Sequence, residues 1–165
     1  MATTEIVLLS LSQWTKNHLT AIFQATTASA LEEALDAFLF KDATITVNGR
    51  TISRTEFTNL LSGEKFDETH ASISFAGAVE VPADPKSPVL AGSVGVFFTA
   101  IVDEAIVIRD VPVQEQTTAS INVVIEQDDS LPPPPRPPIR GFSDRRRVKV
   151  LNEVVLVGRV SPQAV

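Results

Sequence analysis

Two imidazoles and a thin scatter of carboxylates are the groups with which this 165-residue chain could move a proton. His18 stands four residues after Trp14 in an amphipathic stretch, where it is either a packed helix-face histidine or part of a site. His70 follows Asp67 and Glu68, and acidic neighbours raise an imidazole pKa toward the physiological range. Asp42 opens a β-prone run, as a base or as a turn cap. Asp103 and Glu104 are adjacent, so on a strand they face opposite ways and cannot share one site. Glu32 and Asp36 lie four apart on one helical face and read as solvated; Asp128-Asp129 reads as a turn. Asn17 and Asn122 are the polar helpers such a site would draw on.

The absences are firmer. There is no Cys and no Tyr, which removes disulfides, thiolate metal sites, a cysteine nucleophile and phenol chemistry. Two His are too few for a multi-histidine metal centre, so neither metal nor cofactor is expected. No nucleophile-elbow motif occurs. Gly92 and Gly95 fall inside strand-like runs and indicate bulges or close packing, not a phosphate cradle.

Two basic or proline-rich features address partners. Pro135-Arg-Pro-Pro138-Ile-Arg140 fits a Pro-x-x-Pro-x-Arg pattern read by SH3-type grooves, or else is a stiff spacer. Arg145-Arg-Arg-Val-Lys149 could meet phosphates, or pair with the acidic body of the chain. The first 130 residues hold 18 acidic and 7 basic side chains, the last 35 hold 2 and 7. An acidic body of that kind makes nucleic acid an unlikely partner. No segment is apolar enough to span a membrane, and no basic leader precedes the first apolar run, so the expected compartment is the cytosol.

The length suits one domain over 1–165. Residues 5–27 read as a helix with Val7, Leu11, Trp14, Leu19, Ile22 and Phe23 on one stripe. Ser29 and Glu32 form a capping-box pattern for a second helix that carries Leu31, Ala34, Leu35, Phe38 and Leu39. Residues 42–47 are β-prone, Asn48-Gly49 is a hairpin signal, and 50–52 return. Ser53 and Glu56 open a third helix over about 53–62, stopped by Gly63. Four long strands follow, from 68 to 81, 90–109, 114–127 and 146–158. Ile73, Phe75, Val79 and Val81 are expected on one face, and Val148, Val150, Val154 and Leu156 likewise. The prolines of 131–138 bar helix and central strand, making 131–145 a loop between the last two strands.

Helices segregated before long strands make an α+β domain with an antiparallel sheet of about six strands. The order resembles the nuclear transport factor 2-like superfamily, with its cystatin-like cone. The carrying stretch is Leu35-Asp-Ala-Phe-Leu-Phe-Lys-Asp-Ala-Thr-Ile-Thr-Val-Asn-Gly-Arg-Thr-Ile-Ser-Arg-Thr-Glu-Phe57. The proline-rich tail is similar to a fungal branch of that superfamily. The resemblance implies three helices packed on a strongly curved sheet around a conical pocket. Trp14, His18, Phe38, Val47, Phe57, Phe75, Phe98 and Asn122 are its expected lining. It also implies candidate chemistries. Ketosteroid isomerases carry an aspartate base on the strand after the second helix, but Val47 falls there, and the tyrosine of their oxyanion site has no counterpart. A SnoaL-like enzyme would lean on Asp42 or His70, acting on a small cyclic or polyketide-like substrate. The reading preferred on residues alone is a non-catalytic module that binds a small apolar ligand or a protein partner. Apolar positions such as Phe97, Ile101, Val124 and Val157 then predict a homodimer through the sheet face.

Overall fold

Hydroxyl side chains decide where the helices begin. In the computed structural model, which describes residues 8–63, 70–108, 111–132 and 144–160, Ser10 caps helix α1 (Leu11–Gln24) by accepting from the Gln13 N–H at 3.3 Å. Helicity over 5–27 is therefore too long: residues 8–10 precede the helix and Ala25 is extended, while residues 1–7 lie outside the described residues. Helix α2 (Ala28–Phe38) is capped by Thr27, whose Oγ1 accepts from Ala30 N–H at 3.1 Å. Ser29, expected as the cap, lies in the first turn; Thr27 has the extended backbone a cap needs. Leu39 leaves the helix and opens strand β1 (Leu39–Val47).

Asn48 (φ 49°) and Gly49 (φ 80°) are both left-handed, the geometry of a two-residue hairpin turn, and β2 (Arg50–Ile52) returns. Ser53 and Glu56 form the full reciprocal capping box of α3 (Arg54–Ser62). The long strands are β3 (His70–Pro82), β4 (Gly92–Ile108), β5 (Val111–Gln127) and β6 (Arg146–Val160).

One curved, unclosed sheet results, in the order β2-β1-β6-β5-β4-β3. It is mixed, which corrects the all-antiparallel expectation. β6 enters between β5 and β1 and runs parallel to β1. Nothing local signals this, because it depends on where the chain re-enters after residue 144.

Bulges then set which side chains face the helices. Phe75 pairs with Phe98, yet Gly77 pairs with Phe97, so Ala76 is an extra residue. Ile73 and Phe75 pack on the core, whereas Val79 and Val81 point outward. A second slip, in which Val124 pairs with Val150 and Ile125 with Val148, makes Lys149 extra. Val148, Leu151 and Glu153 are buried while Val150, Val154 and Leu156 are exposed. Neither four-residue face expected from plain alternation exists, because one extra residue reverses every side chain beyond it. A register shift also follows Asp103.

The core lies between the helices and the inner face. Leu11, Trp14 and Ile22 of α1 and Leu31, Leu35 and Phe38 of α2 meet Val94, Val96, Phe98, Ile121, Val123 and Ile125 of the sheet. Each such side chain contributes roughly 1.5–3 kcal/mol by leaving water. Glu80 adds a polar tie: its carboxylate accepts from Ser12 N–H at 2.6 Å, at the positive end of α1.

Candidate ligand-binding cone

The helices do not fill the whole concave face. Beyond the core, α3, the β1–β2 hairpin and the far halves of β5 and β6 enclose a cavity of about 500 Å³, within the size range of small-molecule sites. Phe23, Val47, Ile52, Phe57, Leu60, Leu61, Val102, Val155 and Val157 make its wall mostly apolar. Phe57 is held there by the capping box, which sets the start and hence the facing of α3. Val155 and Val157 are turned inward by the slip at Lys149.

One group stands out against this wall. Glu153 is 7% exposed and lies directly beside Val47 across the parallel β1–β6 pairing. Among the described residues, no hydrogen bond or ion pair reaches its carboxyl group. Burial alone pushes its pKa up to about 7. Its backbone carbonyl accepts from Asn48 N–H at 2.9 Å. The Asn48 side-chain amide is occupied elsewhere: Nδ2 donates to Val155 O at 3.0 Å, and Oδ1 accepts from Val155 N–H at 2.8 Å. The hairpin asparagine thus locks β1 to β6 and leaves the carboxyl alone. Glu115, Thr117 and Arg50 are the other polar side chains of the wall.

Of the residues expected to line a pocket, Val47 and Phe57 do. Trp14, His18 and Phe38 form a separate aromatic cluster beneath α1, with His18 4.3 Å from Trp14 and 5.6 Å from Phe38, centroid to centroid. Burial lowers the His18 pKa to about 4, so this imidazole is neutral near pH 7. Phe75 and Phe98 pack on each other in the core, and Phe23 links Phe98 to the cavity wall. Asn122 is exposed on the outer face of the sheet, in a shallow depression with Val79, Val81 and Val150. Asn17 is on the surface, accepting from Gln13 Nε2 at 2.8 Å.

Asp42 is a surface residue. Lys149 Nζ donates to it at 2.7 Å, and this bond holds its carboxyl below the usual range. It is not part of the cavity wall. His70 starts β3 opposite Asp103; its side chain lies outside the described residues. Pro135, Pro138 and Arg140 also lie outside them.

The basic run is engaged within the fold. Arg145 pairs with Asp129 at 3.0 Å, and Arg147 donates to the Asp36, Asp144 and Arg146 carbonyls. Arg146, only 3% exposed, forks onto the Asp144 carboxylate and donates to Leu9 O at 2.8 Å and Val89 O at 3.1 Å. Trp14 Nε1 donates to the same Asp144 at 3.0 Å. This guanidinium ties the entry of α1, the β3–β4 connection and the start of β6 together.

Sequence reasoning met Arg146 only as part of the basic run, not as a buried tie, and passed over Glu153. A signal for Glu153 was present: it is a lone acid within Val-Leu-Asn-Glu-Val-Val-Leu-Val. Alternation counted from Val148 puts it on the wrong face.

No family model matches the sequence, and no curated protein matches it. Solved structures do. The chain is similar to the NTF-2 like protein of unknown function PA1314 from Pseudomonas aeruginosa: 15% identity, TM-score 0.51, 87% of this chain and 96% of that one. The fold is nuclear transport factor 2-like. A type 2 hexachlorocyclohexane dehydrochlorinase (LinA) is similar at 10% identity and TM-score 0.54, covering 93% and 92% of the two chains. The Mtr2–Mex67 M domain complex of Candida albicans matches at 12% identity and TM-score 0.57, covering 93% and 96%. One NTF2-like cone therefore occurs in an enzyme and in a protein complex, and residues, not fold, must decide here. No described helix is long and apolar enough to cross a membrane.

Proposed function

We propose that this NTF2-like cone binds a small, mainly apolar molecule through a single polar contact at Glu153. The observation that carries this is a cavity of about 500 Å³ whose apolar wall holds one nine-tenths-buried carboxyl group with no partner among the described residues. A ligand polar group supplies that partner, and its apolar body displaces water from Phe57, Leu61 and Val155. Native mass spectrometry of freshly purified protein tests the reading. An adduct of a few hundred daltons is expected, lost in Val155→Phe, which fills the cavity. A protein without adduct that also takes up no small apolar probe refutes it.

A second reading has its own observation. Glu153 pairs across the sheet with Val47, on which the family resemblance puts the isomerase base, and its pKa of about 7 suits a general acid or base. The cone would then carry a SnoaL-like isomerase, dehydratase or cyclase with its carboxyl moved to the neighbouring strand. Turnover of small cyclic ketones or hydroxyketones that Glu153→Gln abolishes would favour it; turnover unchanged by that variant would remove it.

We also propose that the outer sheet face forms a homodimer. Val79, Val81, Phe97, Val154 and Leu156 are exposed there, Leu156 by 74%. Of the positions expected to join this face, Val157 instead lines the cavity. The Mtr2 complex supports a protein-binding role for the fold. Sedimentation equilibrium should give a dimer, and Leu156→Asp a monomer; a wild-type monomer sinks the idea. The proline motif keeps its adaptor reading, which Pro135→Ala with Pro138→Ala tests through loss of SH3-domain binding.

A further inference from the structure

Glu153 fixes the chemistry of what the cone takes. We infer that the ligand is a monocation, an ammonium carried on an apolar body, with Glu153 as its counter-ion. This rests on reading the cone as a ligand site.

The argument begins with what faces the carboxyl group. Its sheet neighbours are Val47 on β1 and Ile121 on β5, and α3 presents Phe57, Leu60 and Leu61 to the cavity. None donates a hydrogen bond from its side chain. Of the wall's neutral donors, the Asn48 amide is spent on both backbone groups of Val155, and Thr117 pairs with Val157, further along β6 than Glu153. The charged side chains of the wall are Glu153, Glu115 and Arg50, and Arg50 is exposed. An anionic ligand would therefore meet two acids and one solvated guanidinium.

A cation meets the reverse. An ammonium donates charge-assisted hydrogen bonds to the carboxylate inside an apolar wall, where such bonds are stronger than in water. The rings of Phe23 and Phe57 line the same cavity and offer contact for an apolar body or a cation–π contact for the charge. An unpaired buried carboxylate is costly, so the ligand's charge removes a penalty already built into the empty fold.

The test compares 2-phenylethylamine with 2-phenylethanol, which match in shape and differ in charge. Binding to the wild type, Glu153→Gln and Val155→Phe is measured by calorimetry at pH 8. The amine is expected to bind the wild type about tenfold more tightly than the alcohol, or better. That preference should vanish in Glu153→Gln, and Val155→Phe should lose both probes. Lowering the pH from 8 to 5.5 should weaken the amine and spare the alcohol. An alcohol that binds as well as the amine, or a preference that survives in Glu153→Gln, overturns the monocation and leaves the cavity reading standing. Binding of neither probe to the wild type overturns both.

Discussion

Replacing Glu153 by Gln should make the protein more stable at alkaline pH, and by a calculable amount. The ordinary glutamate pKa is 4.5, and burial raises that of Glu153 to about 7. Below pH 4.5 the group is protonated in both folded and unfolded chains and costs nothing by ionisation. Above pH 7 it is ionised in both, and the folded state bears the full penalty. The sign is that of any raised pKa: stability is lost as pH rises through the window from 4.5 to about 7. A shift of that size corresponds to about 3 kcal/mol at 1.36 kcal/mol per unit. Glutamine keeps the shape and cannot ionise. The difference in unfolding free energy between variant and wild type should therefore grow in the variant's favour by about 2.5 kcal/mol between pH 5 and pH 8, because the unfolded glutamate is already mostly ionised at pH 5. Urea titrations at the two pH values read this as a change in midpoint difference of roughly 1–3 M. Other titrating groups, His18 among them, are common to both proteins and cancel. Parallel pH profiles for wild type and variant would refute the reasoning, since they would mean that Glu153 ionises freely in the folded state.

His18 gives the opposite sign. Its folded pKa of about 4 lies below the usual 6.5, so stability is lost as pH falls from 6.5 toward 4. The imidazole proton resonances of His18 should titrate near pH 4, and a midpoint near 6.5 would show that it is not buried beside Trp14. Arg146→Met should destabilise the protein by about 3 kcal/mol or more in urea, because it strands the Asp144 carboxylate and the Leu9 and Val89 carbonyls. A loss under about 1 kcal/mol would show that water replaces the guanidinium. Asp42→Asn should leave both the urea midpoint and probe binding unchanged, since its ion pair with Lys149 is exposed to solvent; a loss of binding would place Asp42 in the site.

Much of the architecture follows from local physics. The Ser53–Glu56 capping box, the Asn48-Gly49 turn and the burial of Val94, Val96, Phe98 and Ala100 on one face are all readable in short windows. They depend on backbone dihedrals and a two-residue period, which a few neighbouring residues specify. The choice of Thr27 over Ser29 as a cap was not so readable, because both residue types can cap and the exit from α1 selects between them.

The site belongs to the other category. Asp42 and His70 were the acids and bases visible by position, yet Asp42 is engaged on the surface. Glu153 looked like an ordinary polar residue in a strand. Its burial comes from the extra residue at Lys149, which turns Leu151, Glu153 and Val155 inward, and from the parallel docking of β6 on β1. A bulge depends on the partner strand's register, and a parallel pairing depends on contacts more than a hundred residues apart. Short stretches of chain specify the helices, the hairpin, the number of long strands and the chemistry that a protein without Cys or Tyr cannot do. Which carboxyl group faces the cavity is settled by the assembled sheet, because facing is a property of paired strands, and no strand carries that information alone.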